Sequence, residues 1–262
     1  MSVPSPLLAA TEPAPYRVLN PQAPSPLLLL CDHASPALPA AVGDLGVPPA
    51  ERLRHIGWDI GAADVTERLA RRFDACALFT TYSRLLIDCN RAPGDASSIP
   101  PYSDGTPVPG NTGLSDAEVD ARIEAVFWPY HHAIMQAVAA RQHRGQVPVL
   151  VAVHSFTPRM NGHDRPWQLG VLWNHDPRLA LPLLEALGAR GLCVGDNQPY
   201  SGRETGYTVE AHGAAAGLPH VVLEIRQDLI GDAEGCAHWA GVIGDALQSL
   251  LERPELARVE HF

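Results

Sequence analysis

Residues 147–155 read VPVLVAVHS, and residues 27–33 read LLLLCDH. Each stretch is a short apolar run that ends at polar residues. Apolar runs of this length without polar alternation are typical of strands that are covered on both faces, as in the middle of a parallel sheet. The two stretches therefore predict buried strands, at 147–153 and 27–31, near the centre of a sheet.

Helical patterns separate the predicted strands. Asp59 resembles an N-cap and is followed by apolar residues at helical spacing, and Ser115 and Glu118 form a capping box before a second helix that Pro129 should kink. Further extended segments are expected at 77–82, 85–88, 169–173, 192–194 and 221–225, and further helices at 179–187, 207–216 and 233–251. This alternation indicates an α/β protein with three layers, α/β/α, around a mainly parallel, mixed sheet.

The domain organisation predicted from composition is simple. No change in composition marks a second domain, so residues 27–262 are expected to form one domain. Residues 1–26 are rich in proline, which predicts an extended, partly disordered lead-in.

Two other segments are interpreted as irregular or surface structure. Residues 95–113 are rich in Gly, Pro and Ser, which excludes a regular element and is typical of a lid or binding loop. His131 and His132, on the helix that Pro129 should kink, are interpreted as solvated or capping residues.

The composition excludes several classes of function. The chain has 262 residues and a net charge of -10, with 19 basic and 29 acidic residues, whereas nucleic-acid binding needs a basic surface. The five cysteines form no C-x-x-C pair, which indicates reduced thiols and a cytoplasmic location. No apolar run approaches the roughly 18 residues of a membrane span, and no signal peptide is recognisable. An anionic small molecule stays possible as a partner, because one or two Arg residues bind a carboxylate.

Two histidines follow the two apolar runs directly. His33 follows the first and His154 the second, and ligands in open α/β sheets bind at the carboxyl ends of strands. Two imidazoles and one carboxylate, with a fourth position open, are a common catalytic zinc arrangement. Asp59, within HIGWDIG at 55–61, is the candidate carboxylate. In the alternative interpretation, the histidines are hydrogen-bonded loop residues and Asp59 is only a helix cap.

Glu224 interrupts the apolar strand VVLEI at 221–225. A carboxylate in such a strand is costly unless it is paired or functional, and burial would raise its pKa toward values that suit a general base. Arg226, two residues along on the same face, is the alternative explanation as an ion-pair partner.

The segment 83–91, which reads SRLLIDCNR, contains two arginine side chains and one asparagine side chain. Arg84 and Arg91 are candidates for binding a substrate carboxylate, and Asn90 for binding a carbonyl or an amide. The alternative is that the Arg side chains extend from the strand to the surface.

The chain resembles the N-formylglutamate amidohydrolase family in a series of short motifs that occur in the same order. They are CDHAS at 31–35, GWDIG at 57–61, YSRLLIDCNR at 82–91, SDG at 103–105, PGN at 109–111, PYH at 129–131, VHSFTP at 153–158, NQPYSG at 197–202 and LEIRQD at 223–228. The resemblance therefore extends over nearly the whole chain outside its two ends.

This resemblance implies a phosphorylase/hydrolase-like α/β/α fold, similar to zinc carboxypeptidases, and a zinc hydrolase that removes the N-acyl group of an amino acid in amino-acid catabolism. By position, it implies one zinc ion on His33, Asp59 and His154, with Glu224 as general acid and base. Asn90 and Arg91 match a substrate-binding dipeptide, and Arg84 or Arg226 is expected to assist Arg91. Two alternatives stay open: a zinc amidase for another amide, and a non-catalytic protein that binds an acyl-amino acid.

Overall fold

The computed structural model describes residues 7–204 and 206–262. Its strands are β1 (Tyr16–Leu19), β2 (Leu27–Cys31), β3 (Cys76–Thr80), β4 (Tyr102–Ser103), β5 (Thr106–Pro107), β6 (Val149–Phe156), β7 (Arg159–Met160), β8 (His163–Asp164), β9 (Leu169–Leu172), β10 (Val194–Asp196) and β11 (His220–Arg226). Its α-helices are α1 (Pro49–Arg52), α2 (Ala62–Arg72), α3 (Asp116–Arg122), α4 (Trp128–Gln142), α5 (Pro177–Gly188), α6 (Thr208–His212) and α7 (Ala233–Leu250).

Seven of the described strands form one sheet in the order β1-β3-β2-β6-β11-β9-β10. Strands β3, β2, β6 and β11 are parallel, β1 is antiparallel to β3, and the β9–β10 pair runs against β11. The sheet is thus mixed and mainly parallel, with helices on both faces, which confirms the predicted α/β fold.

The central strands are apolar throughout because helices cover both faces of the sheet. All residues of β2 are buried; Leu27 and Leu29 belong to one apolar cluster, and Leu28 and Leu30 to another. The first cluster includes residues of α2, α5 and α7, and the second includes residues of α4 and α6. The unbroken leucine run is therefore explained by burial on both faces.

The helix predicted after Ser115 forms as α3 with its capping box intact, since Ser115 and Glu118 each bond to the backbone of the other. One turn of π-helix, Ile123–Phe127, connects it to α4, in which Pro129 occupies the first turn. Proline has no N–H for the carbonyl four residues earlier, and the wider π turn lies at this point of the helix.

Several element predictions are wrong in detail. Residues 84–86 form a turn and 87–88 are irregular, so 85–88 is not an extended segment, and the segment 95–113 contains the β4–β5 hairpin. Part of the predicted lead-in, Tyr16–Leu19, pairs with β3 as an edge strand; residues 1–6 lie outside the described part. His131 is buried and not solvated: its Nε2 donates to the carbonyl of Cys89, 2.8 Å away.

The cysteines and the lengths of the helices bear on two expectations drawn from composition. All five cysteines lie in the described part of the chain, and each is free of a disulfide. Among the described helices, none has both the length and the apolar character needed to cross a bilayer.

Candidate active site

His33, Asp59 and His154 converge at the carboxyl ends of β2 and β6. Their exposed fractions are only 3%, 2% and 3%. One nitrogen of each imidazole and one carboxylate oxygen all lie within 4.8 Å of one another. The Nδ1 atoms of His33 and His154 lie 3.2 and 2.8 Å from the same oxygen of Asp59, Oδ2. The structure therefore brings the three predicted metal ligands together in one buried cluster.

The Asp59 carboxylate is available because Asp59 does not cap the helix. Helix α2 begins at Ala62 with Gly61 as its N-cap, and the carbonyl of Asp59 accepts a hydrogen bond from the Ala62 N–H. Gly61 has φ +79, and a Cβ there would stand 2.1 Å from the carbonyl oxygen of Ile230. The predicted N-cap role of Asp59 is thus wrong. Gly61 makes the turn in the left-handed region, so the Asp59 carboxylate is not used to cap the helix and can face the two histidines.

Two further carboxylates hold the far nitrogens of the two imidazoles. His33 donates from Nε2 to Asp88 Oδ1 at 2.7 Å, and His154 donates from Nε2 to Asp32 Oδ2 at 3.0 Å. Outer carboxylates of this kind orient histidines that bind metals and leave the other ring nitrogen for the ion. The sequence interpretation gave Asp32 and Asp88 no role, although both are within the motifs that carry the histidines.

The buried charges of the cluster stabilise one another. Burial opposes ionisation of Asp59, but the His33 and His154 imidazoles hold the pKa of this carboxyl below its ordinary value. Burial likewise disfavours charge on His154, but its hydrogen bonds to Asp32 and Asp59 raise its pKa well above the usual range. A cation at this cluster would replace the imidazole protons, so its binding would release protons.

Glu224 lies beside the cluster with a free carboxylate oxygen. It is 7% exposed, it is paired in register with His154 across β11 and β6, and its Oε2 has no hydrogen-bond partner among the described residues. Burial raises the pKa of Glu224 to about 7. Gly170 faces it from β9, where a Cβ would lie 3.4 Å from the Glu224 Cβ. A buried, unpaired carboxylate with a raised pKa suits a general base.

Arg226 is not part of this cluster. Its Nε donates to Asp228 Oδ1 at 2.8 Å, and it does not line the cavity beside the histidines. The alternative explanation of Glu224, an ion pair with Arg226, is therefore wrong.

A cavity of about 140 Å³ opens beside the metal-ligand cluster. It is lined by the cluster and by His55, Arg84, Asn90, Arg91, Ser155, Phe156, Thr157, Leu172, Tyr200, Gly206, Val222 and Glu224. The sequence interpretation gave no role to His55, Thr157 and Tyr200, although all three lie within or beside the quoted motifs. The Ser155 hydroxyl has no partner among the described residues, so it is available to a ligand.

Arg84 and Asn90 are both held by protein contacts. Arg84 donates twice to Asp88 Oδ2, at 3.1 and 2.6 Å, and once to Asp59 Oδ1 at 3.4 Å, so it does not extend to the surface. Asn90 Oδ1 accepts from the backbone N–H groups of Tyr207 and Thr208 at 2.7 and 3.0 Å. This bonding fixes the orientation of the Asn90 amide at the edge of the cavity.

Arg91 differs from Arg84 because no carboxylate of the described residues lies within ion-pair distance of it. Its Nη1 donates only to the backbone carbonyl of Asn90, at 3.1 Å. The side chain lines the inner cavity and also an adjoining outer cavity of about 390 Å³. A guanidinium without an acidic partner at the junction of two cavities is suited to bind an anion.

The segment 95–113 forms part of the wall of the outer cavity. Ser97, Tyr102 and Asp104 line that cavity. Asn111, near the end of the segment, is 6% exposed, donates to the carbonyls of Leu85 and Pro100, and accepts from Arg122. These buried contacts anchor the segment beside the site.

Comparison with known proteins identifies the family. Residues 25–231 match the sequence model of the N-formylglutamate amidohydrolase family. The chain belongs to this family. Members of the N-formylglutamate amidohydrolase family are hydrolases, and the match includes every predicted site residue, from His33 to Arg226. The search of curated proteins finds no match.

Two solved structures are similar to this chain over most of its length. A gene product of Agrobacterium tumefaciens is similar over 94% of this chain and 100% of its own, with 36% identity and a TM-score of 0.89. The N-formylglutamate amidohydrolase of Ralstonia eutropha is similar over 91% of this chain and 97% of its own, with 24% identity and a TM-score of 0.63. The second likeness shows that the two proteins share a fold.

Proposed function

We propose that this member of the N-formylglutamate amidohydrolase family is a zinc-dependent enzyme that hydrolyses the N-acyl amide of an amino acid such as N-formylglutamate. The observation that carries the proposal is the buried His33–Asp59–His154 cluster with the unpaired Glu224 carboxylate beside it in one cavity. A non-catalytic binding protein would have no need of this costly, unpartnered buried carboxylate. The enzyme is therefore favoured over the binding protein.

The donor set fits a divalent cation of the zinc type. Two imidazole nitrogens and one carboxylate oxygen are a three-ligand set that leaves one position open, as in catalytic zinc sites. The carboxylates of Asp88 and Asp32 hold the far nitrogens of His33 and His154, as outer residues do in such sites. When bound, the metal supplies Lewis-acid polarisation of the acyl carbonyl and a lower pKa for the attacking water.

Glu224 is assigned the proton transfers. Its unpartnered Oε2 is free to accept a proton from the attacking water, and its pKa of about 7 allows it to return that proton to the leaving nitrogen. Burial keeps bulk water from competing for the same oxygen.

Arg91 is assigned the substrate carboxylate, with Asn90 and Arg84 beside it. Arg84 is already neutralised by Asp88 and Asp59, whereas Arg91 has no acidic partner among the described residues. The substrate class is therefore a small anionic N-acyl amino acid, and the free amino acid that is released would enter catabolism. The cytoplasmic location stays a prediction.

The proposed function is tested by metal content and turnover measured together. One zinc ion per chain, with N-formylglutamate hydrolysis that is lost on chelation and restored by zinc, is the expected result. Bound zinc without turnover would support the metal site and indicate that the substrate is a different N-acyl amino acid. Neither zinc nor turnover, even after zinc is added, would favour the binding protein.

Arg91→Ala should raise KM for the anionic substrate by about 10- to 100-fold, because a hydrogen-bonded charge pair is lost. The value of kcat should change much less, since Arg91 is assigned to binding and not to proton transfer. Steady-state kinetics provide the measurement, with Arg71→Ala as the matched control, because Arg71 is exposed and pairs with Glu67 on helix α2. An unchanged KM in Arg91→Ala would remove Arg91 from the substrate site.

A further inference from the structure

Asp32 lies directly behind His154, away from the cavity. It is 2% exposed, and its Oδ2 accepts the hydrogen bond from His154 Nε2 at 3.0 Å. It is not a residue of the three-ligand cluster and does not line the cavity. A buried carboxylate in this position acts on the reaction only through His154.

Two hydroxyl groups donate hydrogen bonds to the other carboxylate oxygen of Asp32, Oδ1. Tyr130 donates from helix α4 to Oδ1 at 2.8 Å, and Thr208 donates from the start of α6 at 3.0 Å. Both residues are fully buried, so water does not replace these bonds. Every partner of Asp32 in this group is thus a donor, and an ionised carboxylate is the side chain that accepts from all three.

We propose that Asp32 is a positioning residue for the metal site, and that the Tyr130 and Thr208 hydroxyls hold it in place. By accepting the Nε2 proton of His154, Asp32 places that proton on the far nitrogen and turns Nδ1 toward Asp59 and the metal. The inference rests on the proposed function, because it requires a metal at His154.

Thr208 connects this group to the substrate side of the cavity. Its hydroxyl bonds to Asp32, whereas its backbone N–H bonds to Asn90 Oδ1 at 3.0 Å. A change of the side chain alone therefore removes the bond to Asp32 and leaves the bond to Asn90 in place. This separation allows metal binding and substrate binding to be tested independently.

The decisive variant is Asp32→Asn. An amide has one acceptor oxygen where the carboxylate has two, so it can accept from His154 only by turning its NH2 toward the Tyr130 and Thr208 hydroxyls, which then no longer donate to it; otherwise His154 must rotate or carry its proton on Nδ1, facing the metal. We expect the zinc affinity to fall by about 10- to 100-fold, measured on purified protein by competition with a chromophoric chelator. The matched control is Asp176→Asn, a buried carboxylate at the start of helix α5 that pairs with Arg178 and should leave zinc affinity unchanged.

Thr208→Val and Tyr130→Phe each remove one hydroxyl and test the inference if Asp32→Asn does not fold. Each should lower zinc affinity by about threefold to tenfold, as expected when one supporting hydrogen bond is removed. In Thr208→Val, KM at saturating zinc should stay unchanged.

A purely structural role of Asp32 would lower the melting temperature and leave zinc affinity as it is in the wild type. A folded Asp32→Asn with wild-type zinc affinity would overturn the inference, as would wild-type affinity in both hydroxyl variants. If the wild type itself binds no zinc, the proposed function fails first and this inference falls with it. The wild-type measurement therefore distinguishes the two failures.

Discussion

Glu224→Gln should lower kcat by about a hundredfold to ten-thousandfold while one metal ion per chain stays bound. The amide keeps the size of the side chain but has no basic oxygen to accept a proton from water. The side chain is buried beside His154 without a hydrogen bond at Oε2, so no protein contact at that oxygen is lost. Single-turnover kinetics and metal analysis of the same preparation provide the measurement.

The pH dependence separates this role from a structural one. Burial raises the pKa of Glu224 to about 7, and a general base works only when it is ionised. Wild-type kcat should therefore fall as pH drops through this pKa, and the residual turnover of Glu224→Gln should lack that fall. Glu185→Gln, an exposed position on helix α5, is the matched control and should retain wild-type turnover. A fully active Glu224→Gln enzyme would contradict the assignment.

His154→Ala should abolish stoichiometric metal and lower turnover by about a thousandfold or more, because the several kcal/mol that a catalytic metal contributes are lost with it. Only two of the three ligands then remain, and Asp32 and Asp59 each lose a hydrogen-bond partner. Elemental analysis after gel filtration gives the metal content, and the turnover is measured with added zinc.

The control for this variant is His132→Ala, since His132 is exposed on helix α4 and lies outside the cavity. It should keep both metal and turnover. Thermal unfolding of both variants shows whether His154→Ala has kept its fold. A folded His154→Ala enzyme that is active and has its full metal content would remove His154 from the ligand set.

Sequence interpretation was most successful where local pattern and burial coincide. The apolar runs that became β2 and β6 are buried on both faces of the sheet, so their lack of polar alternation was informative. It was least successful where long-range contacts decide the outcome. The apolar residues 85–87 resemble a strand in the sequence, yet residues 84–86 form a turn, and Asn111 donates to the carbonyl of Leu85 in that turn. Tyr16–Leu19 became a strand only through pairing with β3.

The sequence by itself determined the α/β class and the central strands, because short-range periodicity is visible along the chain. It also predicted His33 and His154 as candidate metal ligands, because both follow the ends of apolar runs. Only the tertiary structure decided which arginine side chain lacks an acidic partner and which carboxylates bond to the histidines. Arg84 and Arg91 are equivalent in the sequence, but Arg84 is neutralised by Asp88 and Asp59 whereas Arg91 has no acidic partner among the described residues. Likewise, Asp32 accepts a hydrogen bond from His154, 122 residues away, and this bond exists only once β2 and β6 lie side by side.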